Sequence, residues 1–140
     1  MSYYLAHPFD TRAEMLQWEL AMEVRYDIEI VNPFYDLHRS DVDAIDQGHM
    51  QRYAVIASEI VDRDLEAIRK SDGVIAYING SRSYGTIMEI AYAVMFGVRV
   101  YIVCTNGEER HPWLRYHDCN GKPCISLDEF EATYLESGVE

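Results

Sequence analysis

The chain has 140 residues, 49% hydrophobic and 26% charged, the length and balance of a single domain spanning 1–140 and not of a disordered chain. Its 24 acidic against 12 basic side chains, net −12, argue against binding polymeric nucleic acid, because a phosphate backbone calls for a basic face. No apolar run reaches the roughly 18 residues of a membrane span, and the first residues lack a basic stretch leading into an apolar core, so a cytoplasmic location is expected.

Residues 2–6 read as a first strand, stopped by Pro8. Residues 11–25 read as a helix, with Met15, Leu16, Trp18, Leu20 and Met22 recurring at helical spacing. Residues 27–31 alternate and end at Asn32-Pro33, a second strand. A polar loop over 32–46 follows, long enough to carry function. Helical pattern runs from about 47 to 70, as one helix or two, and includes Met50, Tyr53, Ile56, Ile60, Leu65 and Ile68. The apolar run 74–78 after Asp72-Gly73 is a buried strand, and 79–85 is a loop bearing Gly and Ser. A helix over 86–96 stops at Gly97, and 98–103 is another buried strand. Ile125 falls in a short fifth strand, and 128–135 is a closing helix.

Strands alternating with helices predict an α/β fold: a five-stranded parallel sheet flanked by helices, flavodoxin-like, of order 2-1-3-4-5. Ligands of such sheets sit beyond the carboxyl ends of the strands, where the order reverses. Two loops border that crevice: Ala6-His7-Pro8-Phe9 after the first strand, and residues 79–85 after the third. Cys104, Cys119 and Cys124 are an odd count, which speaks against a disulfide framework. Cys119 and Cys124 with His117 lack a second ligand pair, so no metal is expected.

The candidate site residues each carry two readings. Glu89, at the start of the helix after the second loop, is either an ionised nucleophile favoured by the helix dipole or the far half of a Thr86-x-x-Glu89 capping box. Asp64 is either a site carboxylate or part of a solvated helix face. Ser83 is a turn residue or a ligand hydroxyl; Arg82 is a solvated cation or an anion partner. Gly85 allows the backbone close approach to a ligand. Tyr4 and Phe9 are core or pocket aromatics. His7 is structural or a general acid near neutral pH.

Tyr4-Leu5-Ala6-His7-Pro8-Phe9, then Asp64-Leu65-x-x-Ile68-x-x-x-Asp72-Gly73-Val74-Ile75-Ala76, then Ser83-Tyr84-Gly85-Thr86-x-x-Glu89-Ile90-Ala91-Tyr92-Ala93 together resemble the nucleoside 2-deoxyribosyltransferase superfamily, which includes nucleoside 5′-monophosphate N-hydrolases. The resemblance covers roughly residues 3 to 105. It implies that Glu89 attacks the anomeric carbon of a nucleoside sugar, displaces the base and forms a covalent glycosyl-enzyme. It implies that Asp64 orients the sugar or nucleophile, or protonates the leaving base, and that Tyr4 lines the pocket. Transferases of this group usually carry an aspartate six residues before the nucleophile; this chain has Ser83, beside Arg82. A hydroxyl, a guanidinium and a helix N-terminus suit a phosphate, where a carboxylate would repel it. The resemblance thus favours a 5′-monophosphate N-glycosidase over a deoxyribosyltransferase. A non-catalytic nucleotide-binding module is the alternative from another class. A small nucleoside or nucleotide is the expected partner, no cofactor is implied, and a homodimer or higher homo-oligomer is expected. Trp113, Arg115 and the helix around Tyr53 are the candidate contact surfaces.

Overall fold

Side-chain parity along three strands decides which residues face which helices. In this computed structural model, which describes residues 1–38 and 57–137, strands β1 (Ser2–Ala6), β2 (Glu29–Val31), β3 (Gly73–Ile78) and β4 (Arg99–Cys104) form a parallel sheet of order β2-β1-β3-β4. Tyr4 aligns with Val31 on one side and Val74 on the other, and Ala76 with Ile102. The chain runs outward from β1 to β2, then returns across β1 to β3, so the order reverses between β1 and β3.

Successive side chains point to opposite faces. Tyr3, Leu5, Ile75, Tyr77, Tyr101 and Val103 pack with Met15 and Met22 of helix α1 (Arg12–Tyr26) and with Phe130 and Tyr134. Phe130 closes the short helix α5 (Leu127–Phe130), and Tyr134 lies in the wider turn that follows, Glu131–Glu136; α4 is Pro112–His117. On the opposite face, Tyr4, Ala6, Val74, Ala76, Val100 and Ile102 pack with Ile68 of α2 (Ala57–Lys70) and with Ile90 and Ala93 of α3 (Tyr84–Met95). Gly73 makes the first packing possible: a Cβ there would lie 3.0 Å from the Tyr101 ring and 3.3 Å from that of Tyr3.

Several boundaries differ from the sequence reading. The second strand starts at Glu29, because Asp27 is the left-handed cap of α1 (φ 54°). Leu20 lies on the exposed side of α1, and Glu19 takes the buried position between Met15 and Met22. Met50, Tyr53 and Ile56 lie outside the described residues. The fifth strand is reduced to one parallel bridge, Val103 to Cys124. The Asp118 carboxylate takes over part of the ladder, accepting from Ile102 N at 2.9 Å and closing a turn through Asn120 N and Lys122 N at 3.0 and 3.1 Å. Pro123, which has no N–H, follows that turn, and the edge pairs only at Cys124, which donates to the Ile102 carbonyl at 2.9 Å and accepts from Cys104 N at 2.8 Å. Among the described residues no helix is long and apolar enough to cross a membrane.

Candidate active site

Helix α3 begins at Tyr84, two residues before the start expected at 86. Ser83 is its N-cap: the Ser83 hydroxyl accepts from Thr86 N at 3.2 Å and donates to Thr86 Oγ1. Glu89 therefore lies in the second turn, where the helix dipole has faded, and it does not cap Thr86. Its partner comes from the sheet instead. Tyr4 belongs to the β1 parity set that faces α2 and α3, and its phenol donates to Glu89 Oε2.

The electrostatics of this pair follow from burial. Burial pushes the Glu89 carboxyl up to about 8; the neighbouring negative charge of Asp64 adds to the rise, and the Tyr4 hydrogen bond works against it. Tyr4 is held well above its usual 10, first by burial and then by Glu89 and Asp64, so it remains a proton donor throughout the physiological range. Asp64 Oδ1 lies 2.8 Å from His38 Nε2. His38 is buried, and its other ring nitrogen has no hydrogen-bond partner among the described residues. His38 was not singled out from the sequence. The available signal was its place in the polar stretch that follows β2.

Glu89, Asp64 and His38 border a cleft of about 1210 Å³, above the usual size of small-molecule sites. Glu89, Asp64, His7, Phe9, Arg82, Ser83, Gly85 and Thr86 all line it. Tyr4 does not: it has no exposed surface and supports Glu89 from beneath, because its β1 position puts the ring inside the core and only the hydroxyl at the carboxylate. His7 borders the cleft with both nitrogens already engaged, Nδ1 3.0 Å from the Pro8 carbonyl and Nε2 2.9 Å from Asn32 Oδ1. Its ring meets Phe34 edge-on at 5.0 Å, and Phe34 meets Phe9 at 5.2 Å. The Arg12 guanidinium lies 3.9 Å above the Phe9 ring and donates to the Phe9 carbonyl at 3.0 Å. The cleft thus has an aromatic wall, a carboxylate pair at its floor, and a serine-capped helix start with Arg82 at its rim. Among the described residues no cluster of His, Cys, Asp or Glu is arranged to hold a metal. The cysteines lie elsewhere, and burial pushes the Cys124 thiol up to about 12.

A carboxylate with a fixed phenol donor, a second carboxylate beside it and an aromatic wall can form and break a bond at an electrophilic sugar carbon. The nucleoside 2-deoxyribosyltransferase family model matches residues 3–132. No curated protein is significantly similar in sequence. A 2-deoxyribosyltransferase from Bacillus psychrosaccharolyticus is similar in structure, with 15% identity, a TM-score of 0.64, and 84% of this chain and 82% of that one covered. A Leishmania mexicana deoxyribosyltransferase aligns at 18% identity and TM-score 0.63, covering 96% and 97%. A CMP N-glycosidase of Clostridium botulinum aligns at 17% identity and TM-score 0.58, covering 84% and 80%. At these identities the structural likeness speaks for the fold.

Proposed function

Because the chain belongs to the nucleoside 2-deoxyribosyltransferase family, a family of enzymes, we propose that it cleaves the N-glycosidic bond of a (deoxy)nucleoside 5′-monophosphate, with Glu89 as nucleophile and water as acceptor. The observation that carries the hydrolase reading is the rim of the cleft. Ser83 and Arg82 sit at the start of α3, in the same cleft as Glu89, and no carboxylate stands at that position. Helix-start N–H groups, a hydroxyl and a guanidinium together recognise a phosphate dianion.

Ionised Glu89 attacks C1′, the bond from C1′ to the base nitrogen breaks with its electron pair going to the base, and a glycosyl ester forms. The leaving base takes its proton from the Asp64–His38 pair, whose contact is 2.8 Å. Water then attacks C1′, gives its proton back to that pair, and frees Glu89 and the sugar phosphate. Tyr4 stabilises the Glu89 carboxylate before attack and after release. A free base taking the place of water would make the same enzyme a deoxyribosyltransferase, the activity named for two of the similar structures.

A second copy of the chain completes this reading, in a cytoplasmic enzyme. α3 exposes Tyr84, Ile87, Met88 and Met95 at 51 to 78%, and α4 exposes Trp113 and Tyr116 at 71 and 77%. Large apolar side chains exposed on two contacting helices mark an association surface. Tyr84 and Met88 also border the cleft, so a copy seated there closes its rim. Sedimentation equilibrium should give a mass at least twice that of the chain.

The deciding experiment is base release followed by liquid chromatography. Nucleosides and their 5′-monophosphates, ribo and deoxy, are run with and without a second free base, beside Glu89→Gln. Release from monophosphates alone, lost in the variant, is expected. A new nucleoside formed only with added base makes the enzyme a transferase. Nucleotide binding without turnover makes it a binding module.

A further inference from the structure

On the α1 side of the sheet a chain of buried polar groups runs to the wall of the same cleft. Glu19, Asn32 and His7 are 3, 0 and 3% exposed. The Phe34 N–H donates to Asn32 Oδ1 at 3.3 Å, so the amide oxygen is the atom turned toward Phe34 and His7. The amide nitrogen then donates to Glu19 Oε1 at 2.7 Å. His7 faces that same oxygen through Nε2, and the Pro8 carbonyl through Nδ1. Both neighbours are acceptors, and only an imidazolium donates from both nitrogens. A cation this deep needs a countercharge, and the Glu19 carboxylate stands one amide away.

We propose that Glu19 is a positioning residue: through Asn32 it holds His7 protonated on both nitrogens, and the imidazolium fixes the Phe9–Phe34 wall of the cleft. Clamped His7 packs edge-on against Phe34, which packs edge-on against Phe9, and Asn32 also holds the Phe34 backbone. Losing either His7 proton sets a lone pair against an oxygen and releases one end of the clamp. Burial opposes the arrangement at both ends, lowering the His7 pKa and raising Glu19 to about 7. The hydrogen bonds through Asn32 act the other way at both. The charged groups facing Glu19 are Asp36 and Glu23, which add to its rise; they are themselves taken up by Asn32 N at 2.7 Å and Ile30 N at 2.9 Å.

The test is the nitrogen spectrum of the His7 ring in ¹⁵N-labelled protein, titrated from acid to alkaline pH, for wild type and Glu19→Gln, with His7→Gln assigning the signal. In the wild type both nitrogens carry protons on the acid side of neutrality. In Glu19→Gln the uncharged amide still accepts from Asn32, but His7 loses its proton about one pH unit lower. The kinetic arm rests on the N-glycosidase reading: on the acid side of neutrality, where the wild-type ring carries both protons, the KM of the monophosphate substrate rises about tenfold while kcat stays within about threefold. A singly protonated wild-type ring, a titration unmoved by the substitution, or an unchanged KM overturns the proposal. Should Glu19→Gln fail to fold, the wild-type spectrum decides alone. Should no substrate turn over, the N-glycosidase reading fails while the spectra still decide the role of Glu19.

Discussion

Two glutamates, one on each face of the sheet, one buried and one half-buried, meet the same physics and end with different work. Glu19 on α1 and Glu89 on α3 are both raised, to about 7 and about 8, and burial is the largest cause for each. Glu19 is sealed and answered by an amide, Asn32. Glu89 opens to the cleft, is answered by the Tyr4 phenol, and has the Asp64 charge beside it. Burial makes a carboxyl hard to ionise; access and neighbours decide whether that serves positioning or attack. The faces differ in the same sense. Tyr3, Tyr101, Phe130 and Tyr134 fill the α1 face with rings in edge contact. The other face uses Ala6, Ala76 and Ala93, small enough for one polar aromatic, Tyr4, to reach a carboxylate.

The largest effect expected is from Glu89→Gln, which should lower base release by at least about 10³-fold, since no other group replaces the bond it forms. Its stability relative to wild type should depend on pH. A carboxyl raised to about 8 binds its proton in the folded state over a window, from about 4.5 upward, where the unfolded chain has released it. Wild-type stability therefore falls as pH rises through that window, and glutamine has no proton to lose. Thermal unfolding should find the variant more stable than wild type by about 4 kcal/mol near pH 8 and level with it near pH 4. Parallel pH profiles would mean that Glu89 is not held neutral by its surroundings.

Next in size is Phe130→Ala, which probes the face opposite the site. Removing a wholly buried ring that contacts Trp18, Tyr101 and Tyr134 should cost about 3–5 kcal/mol in denaturant unfolding. In the folded fraction KM and kcat should stay within about threefold. A larger kinetic change would mean that the aromatic face also shapes the cleft, and the division of labour between the faces would fail.

How much of this was legible in the sequence depended on whether the signal was periodic or relational. Strands at 74–78 and 98–103 and the crevice between β1 and β3 followed from apolar runs and from the rule for parallel sheets, and the cleft lies there. The fifth strand expected around Ile125 shrinks to a single bridge at Cys124, because a side chain, Asp118, fills a ladder position that no periodicity encodes. The start of α3 was misplaced because Ser83 and Thr86 both have capping chemistry, and only geometry chooses between them. Glu19 carried a legible signal: an acid four residues after Met15 and three before Met22 sits on an apolar stripe, where burial raises its pKa. His38 and Asn32 acquire meaning only from partners distant in sequence, Asp64 and His7, and no spacing rule joins them.

The smallest change, one oxygen atom, gives the sharpest test of the Glu89 environment. Tyr4→Phe keeps the ring in the core and removes the donor that favours the carboxylate, so Glu89 should titrate at a higher pH than in wild type. The limb of kcat/KM that rises as Glu89 ionises should move to alkaline pH by about one unit, and activity at neutral pH should fall about tenfold with little change in stability. Asp64→Asn should move the same limb the other way, because it removes the negative charge that raises Glu89, whatever it costs in rate. The position of the limb, and not its height, reads the electrostatics. Opposite displacements would assign it to Glu89, since a distant group would answer to neither substitution. Displacement in one direction by both would mean that Tyr4 and Asp64 act on the cleft by shape, and that burial alone sets the acidity of its nucleophile.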